Sequence, residues 1–213
     1  MLRALRAFVL TAACVLVAAS PASLAATPNE AVPDGGKVFG KGYSGWLAIS
    51  WQILLAGPPD GPVCDKGHGA VILFGGGTGL PEEHTCSVRA GQPVYASGLA
   101  DECSNRESAP FHAETPAELK RCARRHFKGA TNLTATIDGT PVTGYERLIK
   151  ASPVFRFHLP KRNLMHSRKR SGQGAAYGIG LLIGSLTPGV HTVDVTGDFP
   201  GFKSDVMYLL VVK

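Results

Sequence analysis

The 213-residue chain carries 22 basic and 16 acidic side chains, a formal net charge of +6. Residues 1–25 aside, it fits one domain of ordinary size, long enough to bury its own core without splitting. Beyond those residues no stretch is apolar for long enough to cross a bilayer, which excludes a membrane-spanning α-helix from the mature chain.

Residues 1–25 have the three parts of a cleavable secretory signal. Arg3 and Arg6 come first, an apolar run covers residues 7–19, and small residues stand at Ser23 and Ala25. The run falls short of the roughly 17–25 residues that a permanent membrane helix needs. Cys14 lies inside this run, whereas a lipid-anchored cysteine would end it. The expectation is cleavage between Ala25 and Ala26 and a secreted or extracytoplasmic protein of the periplasm or cell envelope.

Residues 26–42 hold Thr27-Pro28-Asn29 and Val32-Pro33-Asp34-Gly35-Gly36 and read as a flexible leader. Residues 43–213 then read as a single β-rich domain. In residues 44–55, Leu47, Ile49, Trp51, Ile53 and Leu55 alternate as in a strand, while Ser44 before them and Pro58-Pro59 after them suit a capped helix. We expect a helix, with both Trp46 and Trp51 in the core.

Strands are expected over residues 70–74, 84–88, 93–97, 133–138, 154–159, 179–186, 190–197 and 206–212, with turns at Asp138-Gly139 and, of type II, at Pro188-Gly189. One further helix opens on Thr115-Pro116-Ala117-Glu118, a capping box with proline at the first helical position, and runs to Gly129. Short strands, frequent turns and one or two short helices give the expected fold: mainly β, a β-sandwich or jelly-roll-like domain with two disulfides.

After cleavage four cysteines remain: Cys64, Cys86, Cys103 and Cys122. An even count in an exported chain argues for disulfides, and three connectivities are open. Cys64 with Cys86 and Cys103 with Cys122 are favoured, because each pair flanks a short local unit. Loops of about 20 residues closed in this way contribute on the order of 3 kcal/mol each.

Trp46, Trp51, Pro58 and Cys64, then Ala70-Val71-Ile72-Leu73-Phe74-Gly75-Gly76, Thr85-Cys86-Ser87-Val88, Glu102-Cys103-Ser104 and the ending Pro188-Gly189-Val190-His191 form a longer pattern. It resembles a family of secreted, largely uncharacterised bacterial proteins with a Trp-rich segment, four cysteines and a C-terminal Pro-Gly-x-His strand. The resemblance implies an exported, mostly β domain and carries no activity with it. The chain departs from that pattern between Pro160 and Gly174, where it is unusually basic.

No Gly-x-Ser-x-Gly elbow and no His-Glu-x-x-His helix occurs, which lowers the common hydrolase readings. His191 alternates with Val193 and Val195 and should point inward as a core histidine. His84 and Cys86 could share a metal only if the thiolate were not consumed by a disulfide. His112 and Glu114 read as loop residues. Gly75-Gly76-Gly77-Thr78-Gly79 lacks the Gly-Lys-Ser/Thr of a phosphate loop and reads as a flexible hairpin loop. Asp101, Glu102, Asn105 and Glu107 are weighed as calcium ligands and taken as a solvated loop. Asn132-Leu133-Thr134 matches a glycosylation acceptor. No metal site and no cofactor is expected.

The functional lead is charge placement. Residues 147–193 contain no acidic side chain but hold Arg147, Lys150, Arg156, Lys161, Arg162, Arg168, Lys169 and Arg170. Such a surface concentrates polyanions. Lys161, Arg162, Arg168, Lys169 and Arg170 are therefore the candidate ligand-binding residues of an exported non-catalytic module, with an anionic polysaccharide or lipid surface as partner. No aromatic residue interleaves them, which disfavours specific nucleic acid. The alternative is a secreted hydrolase with a site lined by histidines such as His158 and His191.

Overall fold

The computed structural model describes residues 27–213, so the expected signal peptide lies outside the described residues. Helix α1 (Tyr43–Ala56) is followed by β1 (Cys64–Gly67), β2 (Ala70–Leu73), β3 (Pro81–Val88), β4 (Val94–Ser104) and helix α2 (Pro116–Phe127). Then come β5 (Thr131–Ile137), β6 (Thr140–Pro141), a 3-10 turn (Tyr145–Leu148), β7 (Lys150–Ala151), β8 (Phe155–His158), β9 (Ser171–Ile183), β10 (Gly189–Phe199) and β11 (Phe202–Val212). One sheet has the order β1-β2-β4-β9-β7, with β8 also on β9; the other runs β3-β11-β10-β5-β6. Tyr95 and Leu181 of the first sheet and Val193, Val206 and Tyr208 of the second share one buried cluster. The described residues form a mainly β, two-sheet sandwich with two helices and two disulfides, Cys64–Cys86 and Cys103–Cys122.

The local chemistry explains the elements. In β11, Ser204, Val206, Tyr208, Leu210 and Val212 are buried and their neighbours are more open, the two-residue period of a strand with one face in the core. Strand β9 is buried on both faces because α1 and α2 cover its outer side. Helix α2 begins on its capping box: Glu118 N donates to Thr115 Oγ1 at 3.3 Å and Thr115 N donates to Glu118 Oε2 at 3.0 Å. At Asp138 (φ 51°) and Gly139 (φ 74°) two left-handed residues close the β5–β6 hairpin, as a type I′ turn requires.

Several expectations are corrected. The segment over residues 27–42 is docked rather than a free leader: Val32 N donates to Leu182 O at 2.8 Å, Ala31 bridges Ile183, and Tyr43 Oη donates to Val32 O at 2.6 Å. It satisfies backbone groups at the end of β9 that would otherwise lack partners. Helix α1 is capped at Gly42 with no side-chain cap, and Ser44 lies inside it. The glycine run over residues 75–79 crosses between the two sheets, from β2 to β3, and is not a hairpin. Gly189, at φ 142°, opens β10 and does not adopt the type II geometry.

Candidate functional site

The basic segment is the loop between β8 and β9. Leu159 N donates to Arg170 O at 2.7 Å and closes its base. Buried Asn163 organises its interior, with Nδ2 donating to Pro160 O and Ser167 O and Oδ1 accepting from Ser167 N. Lys161, Arg162, Arg168, Lys169 and Arg170 are all exposed. Among the described residues, Arg162 alone of these five pairs with a carboxylate, donating from Nη2 to Asp60 Oδ1 at 2.6 Å. The Asp60 backbone N–H and Arg162 together hold that carboxyl below its ordinary range.

Beside this loop opens a cleft of about 590 Å³ at one end of the sandwich. Its walls are Trp51 and Leu54 of α1, the proline-rich segment after α1, the crossover from Phe74 to Gly77, and Phe199 and Phe202 at the tip of the β10–β11 hairpin. Leu164 of the basic loop contributes at the rim. On the β4 side, pairing with β9 shifts register between Ser97 and Ala100; this irregular stretch supplies Ser97, Gly98 and Leu99, and the regular ladder after it supplies Asp101.

Polar groups stand in and behind this mostly apolar wall. The Ser97, Tyr145 and Tyr208 hydroxyls are buried without a hydrogen-bond partner among the described residues. A Cβ built at Gly98 would stand 2.6 Å from Tyr145 Oη, and one at Gly75 2.9 Å from Tyr208 Oη, so both hydroxyls lie directly behind wall glycines. The crossover is held by Glu82, whose Oε1 accepts from Thr78 N at 3.1 Å and Thr78 Oγ1 at 2.8 Å, while Oε2 meets His84 Nε2 at 2.9 Å. Burial pushes the Glu82 carboxyl up, but these bonds win and hold its pKa at about 2.

The histidines named in the hydrolase alternative do not converge. His158 is on β8 of the first sheet and bonds Ser171 Oγ through Nδ1 at 3.1 Å. His191 is on β10 of the second sheet, buried as expected, and bonds Asp138 and the Thr187 carbonyl. Neither lines the cleft. The acidic cluster around residue 102 is not a solvated loop: Asp101 and Glu102 are consecutive in β4 and so project to opposite faces. Glu102 is buried, and its carboxyl is pushed well above the ordinary range by burial and then by the Glu107 charge, against a Ser104 hydrogen bond. Cys103, Cys122 and His126 cluster, but the two sulfurs are spent in a disulfide and are not thiolate ligands.

Trp46 is fully buried and stacks on Tyr95, whereas Trp51 is half-buried in the cleft wall, so only one tryptophan follows the core expectation outright. The cleft itself was not apparent in the sequence. Its one local signal is a tryptophan-bearing helix running directly into Pro58-Pro59 and Pro62.

No protein-family model matches the chain, and neither does any curated protein sequence. Two solved structures show a distant likeness. PbICP-C, solved in complex with falcipain-2, is 11% identical over 63% of this chain and 90% of its own, with a TM-score of 0.26. Amebosin, solved in solution, is 10% identical over 62% of this chain and 96% of its own, with a TM-score of 0.20. At these TM-scores neither carries an argument about fold or function.

Proposed function

We propose that this protein is an exported, non-catalytic β-sandwich module that binds an anionic envelope component, a polysaccharide or lipid surface, through the loop over residues 160–170. The observation that carries the reading is the exposure of Lys161, Arg168, Lys169 and Arg170 on one folded loop without a carboxylate partner among the described residues. Arg162 is the fifth cation, and its guanidinium is shared with Asp60. The leader over residues 1–25 supports export. Two disulfides are compatible with an extracytoplasmic protein, as is the finding that no helix among the described residues is long and apolar enough to cross a membrane. Placement of His158 and His191 on different sheets lends the hydrolase alternative no support.

The test replaces Lys161, Arg168, Lys169 and Arg170 with serine together. Retention on a sulfated-polysaccharide column and on anionic-lipid vesicles should fall, and thermal stability should stay nearly unchanged, because exposed charges contribute little to folding. Retention of the parent should itself fall steeply between about 0.1 M and 1 M salt, as the Debye length shrinks from about 10 Å to about 3 Å. A variant retained as firmly as the parent, with the same salt dependence, overturns the reading.

A further inference from the structure

The cleft beside the basic loop takes a ligand of a different character from that loop's. We propose that it binds a small apolar cation, a molecule with an aromatic or aliphatic body and one ammonium group. Its volume of about 590 Å³ falls within the roughly 300–1,000 Å³ of small-molecule sites. Its walls are apolar, and Trp51, Phe74, Phe199 and Phe202 give them an aromatic character that suits a cation over a ring face.

Charge selects among the possible occupants. Among the described residues, the charged side chains that line the cleft are Asp65 and Asp101, both acidic. Asp101 is partly buried and its carboxylate makes no hydrogen bond or ion pair among the described residues. Burial disfavours its charged form, with the charge of His126 acting in the opposite sense. An anionic ligand would meet the Asp101 carboxylate, which no described lining residue compensates. A neutral one would leave Asp101 desolvated and without a counter-charge. An ammonium group in the cleft supplies that counter-charge while its body covers the apolar wall.

The test is titration with berberine, an aromatic quaternary ammonium ion whose fluorescence rises in apolar surroundings, beside the anionic dye anilinonaphthalene sulfonate. The parent should bind one berberine per chain saturably and bind the anionic dye at least about tenfold more weakly, a difference of about 1.4 kcal/mol. Asp101→Asn should weaken berberine by about tenfold or more, and Asp101→Glu should retain most of the affinity. Leu164→Arg, a change at an exposed rim position that leaves the core untouched, should weaken berberine by about fivefold or more by adding a like charge. The four-serine loop variant should bind berberine as the parent does, so that failure of the loop reading and failure of the cleft reading are separate results. No saturable berberine binding, equal affinity for the anionic dye, or unchanged affinity in both Asp101→Asn and Leu164→Arg overturns the proposal.

Discussion

His191 Nδ1 donates to Asp138 Oδ2 at 2.7 Å, which fastens β10 to the turn of the β5–β6 hairpin. The second ring nitrogen faces Thr187 O at 2.9 Å, and Asp138 Oδ1 accepts from Thr192 N at 2.9 Å. Both ring nitrogens meet acceptors, an arrangement that suits the doubly protonated ring. Burial pulls the His191 pKa down, but the Asp138 and Thr187 bonds outweigh it and the net shift is upward.

A histidine with a raised folded pKa contributes stability that is complete below its unfolded value, about 6.5, and is lost as pH rises through the folded value. This contribution to the melting temperature should therefore decline from about pH 6.5 upward. Asp138→Asn should flatten that decline and cost about 1–2 kcal/mol at pH 5.5 in chemical denaturation. A variant with the parent's pH profile would show that the pair is not coupled to folding.

Glu102 adds a second pH dependence. Its Oε1 is buried without a partner among the described residues, and its pKa is raised, first by burial. The unfolded chain releases this proton above about pH 4.3 while the folded chain keeps it, so stability falls as pH rises from there toward the folded value. Glu102→Gln cannot lose a proton. It should match the parent near pH 4 and exceed it at pH 8 by on the order of 1 kcal/mol or more, read from urea midpoints at the two pH values.

The docked segment over residues 27–42 makes its own prediction. Val32 is buried at 3% exposure, and its backbone groups are bonded to Leu182 and Tyr43. Val32→Ala should cost about 1–2 kcal/mol in urea unfolding. A segment detached in solution would leave the midpoint unmoved.

The disulfides should not be equivalent. Cys64–Cys86 joins β1 of the first sheet to β3 of the second, whereas Cys103–Cys122 fixes α2 against β4. Each should contribute about 3 kcal/mol. The paired replacement Cys103→Ser with Cys122→Ser should raise hydrogen exchange chiefly in α2, and the Cys64→Ser with Cys86→Ser pair should raise it across β1 and β3. Thiol titration of the denatured mature parent should find no free cysteine.

What could be read in advance was chemistry confined to neighbouring residues. The Thr115–Glu118 box, the Asp138-Gly139 turn and the period-two strands β10 and β11 each announce themselves within a few positions, and both disulfides close short loops. The first half of β9, Ser171-Gly172-Gln173-Gly174-Ala175-Ala176, has no such signature because its small residues answer to distant neighbours. A Cβ at Gly174 would overlap the Glu102 carboxyl, and one at Gly178 would overlap Ala100. Strand β1, Cys64-Asp65-Lys66-Gly67, is too short and polar to show a period, and residues 27–42 dock largely through backbone bonds, which leave little mark on side-chain pattern. The cleft was hidden for the same reason: it is assembled from α1, the crossover, β4, the basic loop and the β10–β11 tip, no one of which is unusual alone. The cations of the loop were legible, but the Asp60 partner of Arg162 lies 102 positions away and was not.

Strand β11 comes last among the strands, yet it sits inside the second sheet, parallel to β3 on one side and antiparallel to β10 on the other. A chain synthesised from its N-terminus delivers β3 long before the strand that must accept its backbone bonds. Until then β3 is an unclaimed edge open to other chains. The Cys64–Cys86 bridge can form in the meantime and moor β3 to its own molecule. The second sheet cannot close before residues 205–212 arrive. Losing those residues would leave both β3 and β10 without their central neighbour, so a late stop codon would be as damaging here as a lesion in the middle of the core.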